Sequence, residues 1–178
     1  MGIVTIATYS VWIPTNHQHL FDMLKTKDRC IWDVICHRIA VRNMIHLPLG
    51  QDETSPNCIS ILYSNIERTT EDDQVMVLQE TISDMTGSLI VYATIDFPTV
   101  SVVMNGEDIS SVALLPSGLC IVPGYGEDSA GGERGSMVTV GLQLLHPDIT
   151  TSNMITMETI IMINDLVART VQGIKEIV

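Results

Sequence analysis

The stretch Ile160–Val178, IIMINDLVARTVQGIKEIV, decides the fold of this chain. Its apolar residues recur every three or four positions, which is the spacing of one face of an α-helix. The pattern begins near residues 151–153 and predicts an amphipathic helix of about seven turns at 3.6 residues each. A helix of this length must bury its apolar face, and we expect it to lie across a sheet. The residues of that face are Ile160, Ile163, Val167, Val171, Ile174 and Val178.

The opposite end of the chain predicts a strand followed by two short helices. Ile3–Ile13 is rich in β-branched residues and ends before Pro14, as expected of a strand. Thr15 or Asn16 can cap the first short helix, because either side-chain oxygen accepts a hydrogen bond from a free backbone N–H. Asp28 is in position to cap the second.

Between these ends the apolar period is mostly two, which predicts strands. Because the strands follow one another without long helices, they indicate an antiparallel meander rather than βαβ units. The turn between two of them is predicted at Asp84–Gly87, and Phe97–Gly106 fits either a short helix or an irregular crossing. Gly124–Gly135, rich in glycine and acidic residues, is predicted to be a mobile loop. The strands are expected near 38–47, Cys58–Ile66, Val75–Ile82, Leu89–Ile95, Val112–Val122 (broken at Pro116) and Met137–Leu145.

This order of elements predicts an α+β protein with a helix-grip fold, in which a curved antiparallel sheet packs on a long C-terminal helix. The 178 residues fit one domain and suffice for a proper core. Apolar residues make up 46% of the chain and aromatic residues 4%, so the core must be mainly aliphatic. Folds of this kind often enclose a cavity between sheet and helix.

Charge and motif content argue against several functions. Nine Lys and Arg face 21 Asp and Glu, for a net charge of −12, whereas a nucleic-acid binder needs a basic stripe. We therefore expect neither direct nucleic-acid binding nor association with an acidic membrane surface. The histidines show no metal-ligand spacing, no phosphate-binding loop is present, and no cofactor is expected. The cysteines, which form no CxxC pair, are expected to be reduced thiols: Cys30, Cys36, Cys58 and Cys120.

Five short motifs follow one another along the chain: Val11-Trp12-Ile13-Pro14, Leu20-Phe21-Asp22-Met23-Leu24, Trp32-Asp33, Val77-Leu78-Gln79-Glu80 and Val112-Ala113-Leu114-Leu115-Pro116-Ser117-Gly118. In order and spacing they resemble the region that follows the lipid-binding START domain in plant class IV homeodomain-leucine zipper proteins. The Leu-Leu-Pro-Ser-Gly stretch is the most specific of them. The resemblance covers nearly the whole chain, although the Gly124–Gly135 segment lacks the long Ser/Gly tract expected there.

The resemblance implies that residues 1–178 form a single START-like domain from the C-terminal part of a nuclear transcription factor. It places the homeodomain, the leucine zipper and the START domain proper upstream, and all three are absent from this chain. It further implies a domain without enzymatic activity that acts in transcription regulation, with DNA binding left to the homeodomain.

Four residues are candidates for lining a ligand cavity. Glu80 would be a buried polar anchor if its strand face points inward, whereas it is solvated if Gln79 points inward instead. Tyr63 and Tyr92, on neighbouring predicted strands, either orient a lipid head group or are core aromatics with their hydroxyl tips in water. Gln143, in the last strand, has the same two interpretations.

Two functions compete at this point. The first is a regulatory and interaction module that contacts protein partners or a second copy of itself. The second is a binding module for a hydrophobic small molecule, such as a lipid or sterol. They differ in the volume left between sheet and terminal helix. Because ten Met and many Ile, Leu and Val side chains are present to fill that space at normal packing density, we favour the first function.

Overall fold

The computed structural model describes residues 3–25, 41–50, 55–64, 76–110, 112, 114–125, 133–146 and 156–178. These residues form an α+β structure with a curved, seven-stranded antiparallel sheet and three helices. In chain order the elements are β1 (Ile3–Ile13), α1 (His17–Lys25), β2 (Val41–Pro48), β3 (Cys58–Ser64), β4 (Met76–Asp84), β5 (Gly87–Ile95), α2 (Phe97–Met104), β6 (Ser117–Tyr125), β7 (Glu133–His146) and α3 (Met157–Ile177).

The strands are arranged in the order β1-β7-β6-β5-β4-β3-β2. All neighbouring pairs are antiparallel, so the predicted meander is confirmed. The first strand joins the last one, with a register that runs from Ile3 opposite His146 to Ile13 opposite Ser136. This long-range pairing brings the two ends of the chain's sheet region together.

The predicted turn between β4 and β5 is confirmed and is held by one carboxylate. Asp84 Oδ1 accepts hydrogen bonds from the backbone N–H of Thr86 at 2.7 Å, from its hydroxyl at 2.6 Å and from the Gly87 N–H at 3.2 Å. Gly87 has a φ of +155°, and a Cβ there would lie 2.7 Å from the backbone oxygen of Ile121. Glycine is therefore required both by the backbone conformation and by the close approach of β6.

The helices α1 and α3 cover the same face of the sheet, which we call the inner face; the opposite face is the outer face. α1 packs against β4, β5 and β6, and its Leu20 and Phe21 are completely buried. α3 packs against β1 and β7. Its predicted apolar face is confirmed for the four residues that are buried in the core: Ile163, Val167, Val171 and Ile174.

The two residues at the ends of the predicted apolar face are exposed rather than buried. Ile160 is 41% exposed and Val178 is 49% exposed, because the part of α3 that lies on the sheet begins at Ile163 and ends at Ile174. The start of the helix is set by Thr156, whose hydroxyl accepts a hydrogen bond from the Thr159 N–H at 3.2 Å. This N-cap lies a few residues later than the sequence predicted.

Three other segments refine the predictions. Phe97–Met104 is a helix, and Asp96 caps it by accepting a hydrogen bond from the Thr99 N–H at 2.8 Å. Pro116 lies immediately before β6, where it costs the sheet no ladder bond. The predicted loop Gly124–Gly135 was too long, since β6 runs to Tyr125 and β7 begins at Glu133. Residues 126–132, and the second short helix predicted after Asp28, lie outside the described residues.

Candidate functional site

The four predicted cavity residues lie on opposite faces of the sheet. Tyr92 is on the inner face and is 6% exposed. The register places Glu80, Tyr63 and Gln143 on the outer face, because side chains alternate along each strand. Gln79 therefore takes the inner position on β4, and Glu80 is exposed to solvent. Of the two alternatives that the sequence left open for this strand, the structure adopts the one with an inward Gln79.

A row of polar side chains crosses the inner face at Gln79. Ser60 on β3 is paired with Gln79 on β4, which is paired with Tyr92 on β5. All three are more than nine-tenths buried. His46, paired with Ser60 on β2, continues the row, and its Nδ1 lies 3.0 Å from the Ser60 hydroxyl. Sequence reasoning did not single out Ser60 or His46, because the pairing that aligns them with Gln79 is visible only in the sheet.

The polar groups that follow on the inner face of β4 are satisfied by local partners. The Thr81 hydroxyl donates to the backbone oxygen of Pro56 at 2.8 Å and lies 3.1 Å from the thiol of Cys58. The Ser83 hydroxyl donates to Gln18 Oε1 at 3.0 Å and lies 2.7 Å from the hydroxyl of Ser88. These bonds connect β4 with its neighbours and with α1. They are a structural network, since each group has a protein partner.

The outer face carries a half-open pocket of about 230 Å³. Apolar side chains of β3, β4 and β5 line it together with Glu80, which is one of the four predicted residues. Tyr92 also borders the pocket, although its side chain lies on the inner face. Leu114 and Pro116 form another part of its lining. The Leu-Leu-Pro-Ser-Gly motif thus contributes a wall to a pocket on the face opposite to the helices, rather than to a cavity beneath them.

Around this pocket the outer face is unusually apolar for a surface. Large apolar side chains between 37% and 63% exposed occur on six of its strands. Among the strand side chains that the structure describes, the charged groups on this face are Glu80 and Asp84, both on β4. The exposed apolar residues are Val4, Ile6, Trp12, Leu47, Ile82, Leu89, Val122, Met137 and Leu145.

The indole ring of Trp12 lies over two glycines on this outer face. A Cβ at Gly124 would overlap the ring, and one at Gly135 would lie 2.5 Å from Trp12 Cζ2 and 2.6 Å from the backbone oxygen of Ile13. The two glycines are paired across β6 and β7. They are therefore strand residues that admit an aromatic ring, which explains why a glycine-rich segment was mistaken for loop throughout its length.

The described residues hold no cluster of three or more His, Cys, Asp or Glu side chains that would suit a metal ion. Cys58 is a buried free thiol and Cys120 a half-buried one, while Cys30 and Cys36 lie outside the described residues. His17 is buried at the start of α1, with its Nε2 3.2 Å from the backbone oxygen of Asp84. This histidine fixes α1 to the β4–β5 turn.

Three exposed carboxylates have a lowered pKa for a local reason. Hydrogen bonds from the hydroxyl and the backbone of Thr86 hold the pKa of Asp84 below its ordinary value of 3.8. Thr99 lowers the pKa of Asp96 in the same way, and Ser110 lowers that of Asp108. Each of these aspartates stabilises a turn or a helix start, and their pKa shifts do not indicate a catalytic site.

No helix within the described ranges is long and apolar enough to cross a membrane. Comparison with known proteins then gives the class. The family model described as "PDF2-like, C-terminal domain" matches residues 1–178, so the chain belongs to this family. Its relatives are plant class IV homeobox-leucine zipper proteins, which are transcription factors.

The similarity to individual relatives extends over nearly the whole chain. Homeobox-leucine zipper protein ANTHOCYANINLESS 2 of Arabidopsis thaliana is 39% identical over 183 residues, which is 98% of this chain and 22% of the relative. HDG7 of the same plant is 36% identical and ROC8 of Oryza sativa subsp. japonica 34% identical, each over 98% of this chain and 27% of the relative. The chain spans about a quarter of the length of these relatives.

Proposed function

We propose that this chain is a non-enzymatic regulatory domain of a plant homeodomain-leucine zipper transcription factor, and that it acts through protein contacts of its outer sheet face. The observation that carries the proposal is the set of exposed apolar side chains on that face. Extended apolar surface on a water-exposed protein marks interaction sites, because leaving it in water costs free energy that a partner removes.

The distribution of charge also supports the outer face as the surface that contacts a protein partner. The chain carries a net charge of −12, yet the described side chains of the outer face include only two carboxylates, both on β4. Interface cores are depleted of charge and enriched in aromatic residues and Met, and this face presents Trp12 and Met137. Charge elsewhere on the chain keeps it soluble, while the outer face remains available to a partner.

The fold supports a START-like domain. The order of strands and the terminal helix across β1 and β7 are those expected of a helix-grip fold. By family context the chain acts in the nucleus, with DNA contacts made by a homeodomain that is not in this sequence. The net charge of −12 is consistent with this division of labour, because a domain of this charge is repelled by phosphates.

A transcription reporter in plant cells tests the proposal. The 178-residue chain is fused to a heterologous DNA-binding domain, and the change in reporter output is measured. Replacing Ile6 and Leu89 together by Lys is expected to abolish the change, since both are exposed on the outer face at 63% and 40%. The matched control is Ile161→Lys on α3, where the side chain is 57% exposed on a helix away from that face.

Both variants should melt at the temperature of the unaltered chain, because neither alters a buried group. A full reporter response from the Ile6/Leu89 double variant, at normal protein level and melting temperature, would contradict the proposal. Loss of response in both variants would show that added positive charge, rather than the outer face, is responsible, and would contradict it equally.

The second candidate function is binding of a hydrophobic small molecule at the inner face. The observation that favours it is the buried row of Ser60, Gln79 and Tyr92 among aliphatic core residues. Tyr92 is the predicted cavity residue that lies on this row, whereas Glu80, Tyr63 and Gln143 are on the other face. If the ligand function is correct, its polar contacts come from residues that differ from three of the four predicted ones.

A further inference from the structure

We propose that the half-open pocket on the outer face, here called the outer pocket, binds a segment of a protein partner that carries a large apolar side chain beside a Lys or Arg. The apolar side chain enters the pocket, and the cation pairs with the carboxylate of Glu80. The inference rests on the proposed function, because it names the chemistry of the partner that the outer face contacts. It does not depend on the second candidate function, which concerns the inner face.

Strand pairing forms the floor of the outer pocket from two adjacent rows of side chains. In one row, Ile59 on β3 is opposite Glu80 on β4, which is opposite Val91 on β5. In the next row, Leu78 on β4 is opposite Ala93 on β5. Directly opposite side chains of an antiparallel pair lie about 5 Å apart, so the carboxylate of Glu80 adjoins an apolar surface. The small side chain of Ala93 leaves depth that a larger residue would fill.

The size of the outer pocket suits one inserted side chain. Its volume of about 230 Å³ is below the roughly 300 Å³ at which pockets for whole small molecules begin. Leu114 and Pro116, which precede β6, form a wall beside the sheet, and Leu114 is 44% exposed. In protein interfaces, an apolar side chain that fills such a pocket supplies much of the binding free energy. The outer pocket is therefore expected to receive an anchoring side chain of a partner.

The carboxylate of Glu80 determines the charge of the partner. Among the described residues that line the outer pocket, Glu80 is the charged one, and it is exposed to water in the free chain. A partner that covers the pocket removes this water. A carboxylate that loses its water without gaining a counter-charge is strongly destabilising. A Lys or Arg next to the inserted side chain supplies the counter-charge, whereas an uncharged or acidic segment would leave Glu80 buried and unpaired.

The overall charge of the chain favours a basic partner over a second copy of the same chain. Each copy has a net charge of −12, so two copies repel each other, whereas a basic segment is attracted and associates faster. A second exposed carboxylate, Asp84, lies farther along the outer face of β4. It is about 13 Å from Glu80, because four strand positions at about 3.3 Å each separate the two. Asp84 is thus placed to pair with a further basic residue of the partner.

Selection from a random peptide library displayed on phage, with the 178-residue chain as the target, tests the inference. We expect the selected peptides to share a large apolar residue with a Lys or Arg at a neighbouring position. On the Glu80→Lys chain, an Asp or Glu should take the place of that basic residue. Selection of the same basic peptides on both chains would overturn the inference. Selection of peptides without a basic residue, or of no peptide, on the unaltered chain would overturn it as well.

Two variants locate the site, with a selected peptide as the probe and fluorescence anisotropy as the measurement. Glu80→Gln should lower the affinity about tenfold, the effect of one lost ion pair of roughly 1.4 kcal/mol, and should weaken its dependence on salt. Leu114→Ala should lower the affinity by a similar factor, because the inserted side chain loses apolar contact. The matched controls Glu158→Gln and Ile161→Ala, at exposed positions of α3, should leave the affinity unchanged. Equal affinities in all four variants would reject the outer pocket as the site.

The transcription reporter separates this inference from the proposed function. Glu80→Lys, at an exposed position, should keep the melting temperature of the unaltered chain and lose the reporter response, as is expected of the Ile6/Leu89 double variant. A full response from Glu80→Lys together with loss of response in the double variant would retain the outer face as the contact surface and reject the outer pocket. A full response from both would reject the proposed function together with this inference.

Discussion

Gln79 and Glu80 are adjacent in sequence and lie on opposite faces of β4, and the two faces differ in almost every property. The inner face is covered by α1 and α3, and its apolar residues form the hydrophobic core. The outer face leaves apolar side chains in water on six strands. The comparison teaches that apolar character alone does not identify the core of this domain. What distinguishes the two faces is whether a helix covers them.

The largest effect on stability is expected from substitutions at the contact between α3 and the sheet. Val167 is 7% exposed and Ile163 3% exposed, so an Asp at either position buries an unpaired charge. We expect Ile163→Asp or Val167→Asp to abolish folding, measured by the loss of a cooperative thermal transition. The matched change Ile161→Asp, at a position that is 57% exposed on the same helix, should leave the transition in place. Unchanged melting in both buried variants would contradict the fold.

The next largest effect concerns Trp12 and the glycines beneath its ring. Gly124→Ala should destabilise the chain by about 1–3 kcal/mol, because the new methyl group overlaps the indole. In a Trp12→Ala background the same change should cost little, since the ring accounts for the closest contacts at this position. Chemical denaturation of the four proteins measures this coupling. Equal costs in the two backgrounds would show that the ring does not require the glycine.

Gly135 provides the control for that cycle. A Cβ there meets the backbone oxygen of Ile13 at 2.6 Å as well as the indole. Because removal of the ring does not move the backbone, Gly135→Ala should remain destabilising in the Trp12→Ala background.

A smaller effect on the free energy of unfolding is expected when a buried and an exposed position on β5 are changed in the same way. Ile90 is 2% exposed on the inner face, and its neighbour Leu89 is 40% exposed on the outer face. Replacing Ile90 by Thr should cost about 1–3 kcal/mol, because a hydroxyl is buried and core contacts are lost. Leu89→Thr should change the free energy of unfolding by less than about 0.5 kcal/mol, as is usual for surface sites. Similar costs at the two positions would mean that the outer face is covered after all.

The smallest expected effect is a pH dependence of the chain's stability that comes from Asp84, the last residue of β4. The pKa of Asp84 is lowered in the folded state, so its contribution to stability is present above the ordinary value of 3.8 and is lost as the pH falls through the lower folded value. Asp84→Ala should flatten the melting temperature over that acidic range while lowering it slightly at neutral pH. An acid profile identical to that of the unaltered chain would show that the Thr86 hydrogen bonds do not contribute.

Local patterns predicted much of the fold. The terminal helix, the first strand and the Asp84–Gly87 turn depend on residues close in sequence, so periodicity and turn chemistry were enough to find them. The glycine segment was predicted less well. Gly124 and Gly135 are needed because Trp12, more than a hundred positions earlier, lies over them, and no local pattern records that contact.

The candidate site shows the same limit more strongly. The alternation along β4 made it clear that Gln79 and Glu80 occupy different faces, but it did not say which face is inner. That choice depends on where α1 and α3 pack, and the helices cover the face of Gln79. The expectation that Tyr63 and Tyr92 lie on neighbouring strands was wrong, because β4 lies between β3 and β5. Tyr63 and Gln143 are on the outer face, whereas Tyr92 is on the inner face.

The sequence by itself determined the class of fold, the family and the strongly acidic character of this chain, because periodicity, motif order and charge are properties of the residues in order. Only the tertiary structure decided which face of the sheet is buried, which polar side chains form a row across β2 to β5, and which motif lines the outer pocket. Those features arise from contacts between strands that are distant in sequence, and the register of such contacts is set by packing of the whole sheet against its helices.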